Sequence, residues 1–371
     1  MFSFRTSSIF EQEDKLLHKG SLGVLCDNSA WYPSSGEYLW EILQKRGNLE
    51  KIFNPEDEIE AEDLSSIDAL IIELQDSGVR YSPYPNLILK LFRTLKDNSL
   101  DIAVYVVDKQ NPAGRCVEGS MLREGYRSEI GVAGIPQKHG LTIGELATYF
   151  HNEVNAKFAL HIISYKGSES FNFIMPWSIP VGEENSGLFT AAMYSGTALW
   201  GATNVSCGKG TSRPYELFGA PWFSELLPYL KEHGISGWNS KESPLYDDGA
   251  FVRVTDFIPG HDIYADELCL GFQIIMNPSL QYCPLAHNLR MIRFVKENTA
   301  SFLFNTDIKA GVDSNKTILE LMLGDKELAD FLYGESSYTD LKEHLKVEEQ
   351  KWIRKAKKFI LYEDDQIFRV K

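Results

Sequence analysis

Four stretches of this sequence run from an apolar, strand-like pattern directly into polar residues that can hold or move a proton. Leu22–Cys26 ends in Asp27-Asn28, Leu49–Phe53 in Asn54-Pro55-Glu56, residues 69–74 in Gln75-Asp76, and residues 102–107 in Asp108. Open α/β sheets bind ligands in the crevice outside the carboxyl ends of their strands. Four parallel strands would therefore gather Asn28, Glu56, Asp76 and Asp108 along one edge. The chemistry open to such a set is acid–base work: a carboxyl group desolvated in a cleft keeps its proton to higher pH and can pass it to a leaving group. Glu56 is the expected proton donor, although with Asp57 and Glu58 beside it the same segment also reads as an exposed acidic turn.

Further candidates lie in the loops that follow. In Gln75-Asp76-Ser77-Gly78-Val79-Arg80-Tyr81, Asp76 offers an acceptor, Arg80 a two-pronged clamp for a carboxylate or phosphate, and Tyr81 an aromatic platform. A turn followed by a surface arginine fits the same residues. Asn111 precedes Pro112, an ordinary turn signal; Glu118 sits in a short loop and His139 just before a helix. Residues 203–214 are dense in donors among glycines, with Asn204, Ser206, Lys209, Thr211 and Arg213 placed to line a sugar or carboxylate site. This loop is not a phosphate loop, because Gly210 follows Lys209 where a Ser or Thr is required. No G-x-G-x-x-G follows the first strand either, so no nucleotide cofactor is expected. The five cysteines show no C-x-x-C spacing, which argues against zinc and against a disulfide framework.

The elements that must position these residues alternate. Helical patterns at 37–44, 87–96 and 142–153 separate the strands, the last opening with the capping box Thr142-x-x-Glu145, and 158–163 reads as a further strand. Such alternation predicts a Rossmann-like, doubly wound, mainly parallel α/β sheet. The second half changes character, with strands at 251–257 and 268–276, a helix at 284–296, and a helical stretch over 316–357 broken near Gly324 and Gly334. This is a smaller α+β domain, and the expected division is 1–225 and 226–371, after the aromatic and proline-rich run 214–222. A chain of 371 residues has room for two domains. A net charge of -15 speaks against nucleic acid as a partner. No secretory leader and no apolar run long enough to span a membrane are visible, so the expected location is cytoplasmic, or periplasmic or secreted if a leader was removed.

Together these segments resemble the NamZ family of exo-β-N-acetylmuramidases. Residues 74–81 are similar to the family's I-Q-D-V-G-x-R-x-Y, residues 107–122 to L-D-R-P-N-P…V-E-G-P-x-L, and residues 203–222 to T-N-V-S-E-G-R-G-T-T-x-P-F-E-x-F-G-A-P-W. Residues 135–147, IPQKHGLTIGELA, match the family in type. The resemblance implies a Rossmann-like domain, a smaller second domain, a cleft between them, and release of N-acetylmuramic acid (MurNAc) from the ends of peptidoglycan fragments such as MurNAc-GlcNAc. It places the family's G-P-E-H-G glutamate on Glu56. Asp76, Asp108 and Glu118 remain open for the second carboxylate, and Arg80, Lys209 and Arg213 for the sugar's lactyl carboxylate. Several positions depart from the family: the G-P-E-H-G histidine is Asp57, the acid of S-E-G-R-G is Cys207, and P-S-P-N reads Pro180-Val181-Gly182-Glu183. These departures motivate an alternative, a catalytically impaired muropeptide- or acidic-sugar-binding protein.

Overall fold

The computed structural model describes residues 20–32, 35–131, 133–164, 182–233, 241, 243, 245–277, 282–305 and 316–362. Its first unit is built on five parallel strands: β1 (Leu22–Cys26), β4 (Leu49–Phe53), β5 (Ala69–Glu73), β6 (Ala103–Val107) and β7 (Leu160–Ile163). A short ribbon of β2 (Trp31–Tyr32) and β3 (Glu37–Tyr38) leads into helix α1 (Leu39–Arg46). The sheet order is β4-β1-β5-β6-β7. Counted along the chain this is 2-1-3-4-5, so the direction of winding reverses between β1 and β5, and a crevice opens beyond their carboxyl ends.

The strands are apolar on both faces because both are covered. Leu22, Val24, Ile71, Tyr105 and Val107 point to the α1 side. Leu25, Leu70, Ile72, Val104 and Val106 point to the opposite side, where α3 (Pro83–Asp97) and α4 (Ile143–Glu153) lie. Between α1 and α3 the chain makes only the single-turn helix α2 (Ala61–Leu64). Helix α3 buries Pro85, Ile88, Phe92 and Leu95, a stripe at three- and four-residue spacing. At α4 the expected capping box is formed: Glu145 N–H donates to Thr142 Oγ1 and Thr142 N–H to Glu145 Oε2.

The second unit has its own core around an antiparallel sheet, ordered β8 (Leu217–Ala220), β10 (Cys269–Met276), β9 (Ala250–Phe257). Helices α5 (Leu188–Thr197), α6 (Leu227–His233) and α7 (Pro284–Asn298) belong to it. Gly196 lets α5 cross α7 closely, since a Cβ there would stand 2.0 Å from the Pro284 carbonyl oxygen. Trp200 is fully buried and its indole N–H donates to Asn288 Oδ1 at 2.8 Å. Met193, Trp200, Phe218 and Phe223 all lie in this second core, ahead of the boundary expected near residue 225. The aromatic and proline-rich run after which the boundary is expected is interior to the second unit, with Phe218 and Phe223 in its core.

The helical stretch near the end divides as its glycines suggest. Helix α8 (Ile318–Leu323) stops at Gly324 with φ 64°, α9 (Lys326–Tyr333) at Gly334 with φ 86°, and α10 (Tyr338–Ala356) follows. Helix α10 returns to the first unit. Its fully buried Trp352 donates to the His139 carbonyl at 2.9 Å and meets Tyr149 edge-on. Among the described residues, no helix is long and apolar enough to cross a membrane.

Candidate active site

The carboxyl ends of β1 and β5 deliver Asp27 and Asp76. Asp27 accepts from Gln75 N–H at 2.9 Å and from the backbone and hydroxyl of Ser29, and it is hydrogen-bonded to Tyr84. Asp76 is buried; it accepts from Gly78 N–H at 2.8 Å and from Ser82 Oγ at 2.6 Å. The turn that aims it depends on Gly78, whose φ is 84° and whose absent Cβ would stand 1.9 Å from Asn111 Oδ1. His139 Nδ1 accepts from Leu141 N–H, so its proton sits on Nε2, which faces Asp76 Oδ2 at 3.6 Å.

The opposite wall comes from a single 3₁₀ turn, Glu183–Asn185, and the glycine loop 203–213. Glu183 accepts from Gly210 N–H at 2.8 Å and lies 3.2 Å from His261 Nε2, while Lys209 Nζ pairs with Asp262 at 2.6 Å. Glu184 is half-buried. Burial raises its pKa, the negative charges of Asp76 and Glu183 add to the rise, and Lys209 opposes it. Tyr84, Tyr194 and Tyr215 complete the surround: each is raised in pKa, first by burial, with the Glu184 charge among the contributors. Tyr194 packs edge-on against Tyr215 with ring centres 4.9 Å apart, and against Tyr81, whose hydroxyl donates to the Ser195 carbonyl. Asp76 of the first unit and Glu184 of the second thus feel one another's charge, among phenols and one ammonium.

The family models for exo-beta-N-acetylmuramidase NamZ match at residues 48–180 for the N-terminal part and 192–362 for the C-terminal part. The chain belongs to the NamZ family. It is 30% identical over 246 residues to "Peptidoglycan beta-N-acetylmuramidase NamZ" of Bacillus subtilis (strain 168), a match spanning 63% of this chain and 55% of that protein. Two solved DUF1343 family structures from Bacteroides fragilis NCTC 9343 share the fold. One has TM-score 0.79 at 19% identity, covering 98% of this chain and 100% of its own; the other has TM-score 0.72 at 20% identity, covering 96% and 98%.

Within this NamZ chain the residues singled out from sequence divide sharply. Asp76 and His139 lie together beyond β5, Lys209 acts by its charge on Glu184, and Tyr81 packs against Tyr194. Glu56 lies beyond the outermost strand, exposed, in a turn closed by Asp57 N–H to the Asn54 carbonyl and by Glu56 N–H to Asn54 Oδ1. The desolvation that its role as proton donor assumes is therefore absent. Asn28 is exposed in the turn after β1, and its neighbour Asp27 occupies the position expected for it. Asp108 is fully buried and its carboxylate accepts from Lys109 N–H, Gly144 N–H and Thr142 Oγ1, capping α4; burial pushes its pKa up to about 6. Glu118 accepts from Ser195 Oγ and from Leu285 N–H at the start of α7.

The expected ligand clamps are occupied with backbone. Buried Arg80 donates to four carbonyls, those of Ser120, Ile135, Met322 and Leu323, and meets no carboxylate. Asn111 donates to Leu141 O and accepts from Ala113 N–H. Asn204 fastens the loop to Ser301 and Leu303. Ser206 Oγ accepts from Gly208 N–H, Thr211 Oγ1 donates to Gly208 O, and exposed Arg213 faces Glu216 at 3.4 Å. Asp27, Tyr84, Glu184, Tyr194 and Tyr215 were not foreseen. Asp27 could have been found by the strand-end rule; the others carry no sequence signal beyond residue type.

Among the described residues one group, Asp325, Glu327 and His344, brings three potential metal-ligand atoms within 4.8 Å. Asp325 is already engaged: it caps α9 through Glu327 N–H, holds His344 Nε2 at 2.8 Å, and has the Arg123 guanidinium 3.5 Å away. The group reads as a charge network, with the Asp325 carboxylate already paired with His344 and Arg123.

A second buried carboxyl pair ties the NamZ units together. Burial pushes Glu118 up to about 7, with Lys138 opposing. Glu349 of α10 accepts from Gly119 N–H, and burial followed by the Glu118 charge pushes it up to about 8. A carboxyl raised in the folded state contributes most below its unfolded value, and that contribution is lost as pH rises through the folded value. The melting temperature should therefore fall between about pH 5 and about pH 9, and Glu349→Gln should lessen the fall by roughly 2–4 °C. Parallel melting curves for the two proteins across that range would refute the assignment.

Proposed function

We propose that this chain is a glycoside hydrolase of the exo-β-N-acetylmuramidase type, releasing terminal N-acetylmuramic acid from peptidoglycan fragments. The observation that carries the reading is a buried Asp76 hydrogen-bonded in place and a half-buried Glu184 whose pKa is raised by burial and then by the Asp76 charge. Glycosidases require such a pair, one group to protonate the leaving oxygen and one to assist at the anomeric carbon. Membership of the NamZ family supports the substrate class. Lys209, whose charge acts on Glu184, is the expected cation for the lactyl carboxylate, which would share it with Asp262, now 2.6 Å from its ammonium; Arg80 is committed to four carbonyls and exposed Arg213 stands 3.4 Å from Glu216.

The test is incubation of the protein with MurNAc-GlcNAc and with GlcNAc-MurNAc, following free sugar. Release of MurNAc from the first and none from the second is expected. Saturable binding of MurNAc-GlcNAc without release would instead establish the binding-protein alternative, which the replacement of the family's acid by Cys207 motivates.

A further inference from the structure

We propose that Glu184, rather than Glu56, is the proton donor of this cleft, working across it with Asp76. The proposal rests on the hydrolase reading and deepens it. Glu184 lies in none of the segments that carry the family resemblance. It stands on the Glu183–Asn185 turn, which is locked from both sides: Glu183 accepts from Gly210 N–H and faces His261, and Asn185 N–H donates to the Gly182 carbonyl. The carboxyl group folds back over Gly182, where a Cβ would stand 2.3 Å from Glu184 Oε2. A side chain at 182 would push the carboxyl out of this position.

A second feature points to a ligand. Asn185, the next residue, is fully buried, and neither its Oδ1 nor its Nδ2 has a hydrogen-bond partner. Leaving a buried polar group unpaired costs about 1–3 kcal/mol. An idle donor and acceptor next to a half-buried carboxyl are groups that a sugar's own donors and acceptors can satisfy once the turn shifts to admit one. Burial, and after it the charges of Asp76 and Glu183, raise the pKa of Glu184, so it keeps its proton to higher pH than a solvated glutamate.

The step balances as a hydrolysis. Glu184 gives its proton to the glycosidic oxygen as the bond to the anomeric carbon breaks and its electron pair moves to that oxygen. Water supplies the hydroxyl that ends on the anomeric carbon. The proton water loses passes to Asp76 and returns through solvent to Glu184.

The experiment compares wild type with Glu184→Gln and Glu56→Gln on two substrates, MurNAc-GlcNAc and a 4-nitrophenyl MurNAc glycoside, whose leaving group departs without a proton. Glu184→Gln should lose about 10²–10⁴-fold on the disaccharide, lose far less on the aryl glycoside, and lose the alkaline limb of the pH–rate profile. Thermal unfolding checks the fold, and Glu184→Asp, read the same way, stands in if the glutamine variant does not fold. Equal losses on both substrates, an unchanged disaccharide rate, or the same leaving-group signature in Glu56→Gln would each overturn the proposal. A wild type that hydrolyses neither substrate would sink the hydrolase reading and this assignment with it.

Discussion

Alanine at Arg80 should destabilise the protein by on the order of 4–5 kcal/mol or more, beyond the range of ordinary substitutions. The guanidinium is 1% exposed and reaches the Ser120 and Ile135 carbonyls through Nη1 and the Met322 and Leu323 carbonyls through Nη2, at 2.7–2.9 Å. The last two are end-of-helix carbonyls of α8, where a cation also meets the negative end of the helix dipole. Burial lowers its pKa to about 10, which leaves it charged at neutral pH. Truncation strands four buried acceptors at once, each costing about 1–3 kcal/mol if nothing replaces the bond. Arg80→Lys keeps the charge but not the fork, and should fall between wild type and alanine. Denaturant midpoints measure this. A well-folded Arg80→Ala protein with weakened sugar affinity would instead restore the ligand-clamp role that the sequence suggested.

Asp76→Asn should reduce release of MurNAc by about 10²–10⁴-fold while leaving a folded protein. Asparagine keeps an oxygen for Gly78 N–H, and its amide can donate to Ser82 Oγ in place of the bond that Asp76 accepts. What it removes is the negative charge facing the reacting carbon and facing Glu184. The loss should therefore appear in kcat for both the disaccharide and the aryl glycoside, unlike that of Glu184→Gln. Steady-state kinetics on the two substrates separate the cases. A normal kcat in Asp76→Asn would exclude it from the chemistry.

The fold was legible because its signals are local. Leu22 and Val24 on one side of β1, and Leu25 on the other, follow from apolar strands in an alternating βα pattern. The Thr142–Glu145 box and the glycines at 324 and 334 mark helix ends by their own backbone chemistry. The strand-end rule found Asp76 by the same logic and missed Asp27 by one residue, since nothing in the strand tells which of Asp27 and Asn28 turns inward. The rest depends on partners distant in sequence. Arg80, Asn111 and Asn204 look like ligand groups, yet they satisfy backbone carbonyls and amides that leave no trace in side-chain pattern. Asp108 was expected in catalysis by its strand-end position, and that position is where a cap for α4 must also stand. Glu184 sits in an unremarkable Gly-Glu-Glu-Asn; its meaning comes only when the second unit carries it against the first.

The sugar is expected to bind at the β1/β5 crevice between Asp76 and Glu184. The most direct test is a crystal structure of Asp76→Asn soaked with MurNAc-GlcNAc. The glycosidic oxygen should lie within hydrogen-bonding distance of the Glu184 carboxyl, with the anomeric carbon facing residue 76 and the lactyl carboxylate toward Lys209. Density for the sugar beside Glu56, outside that crevice, would contradict it.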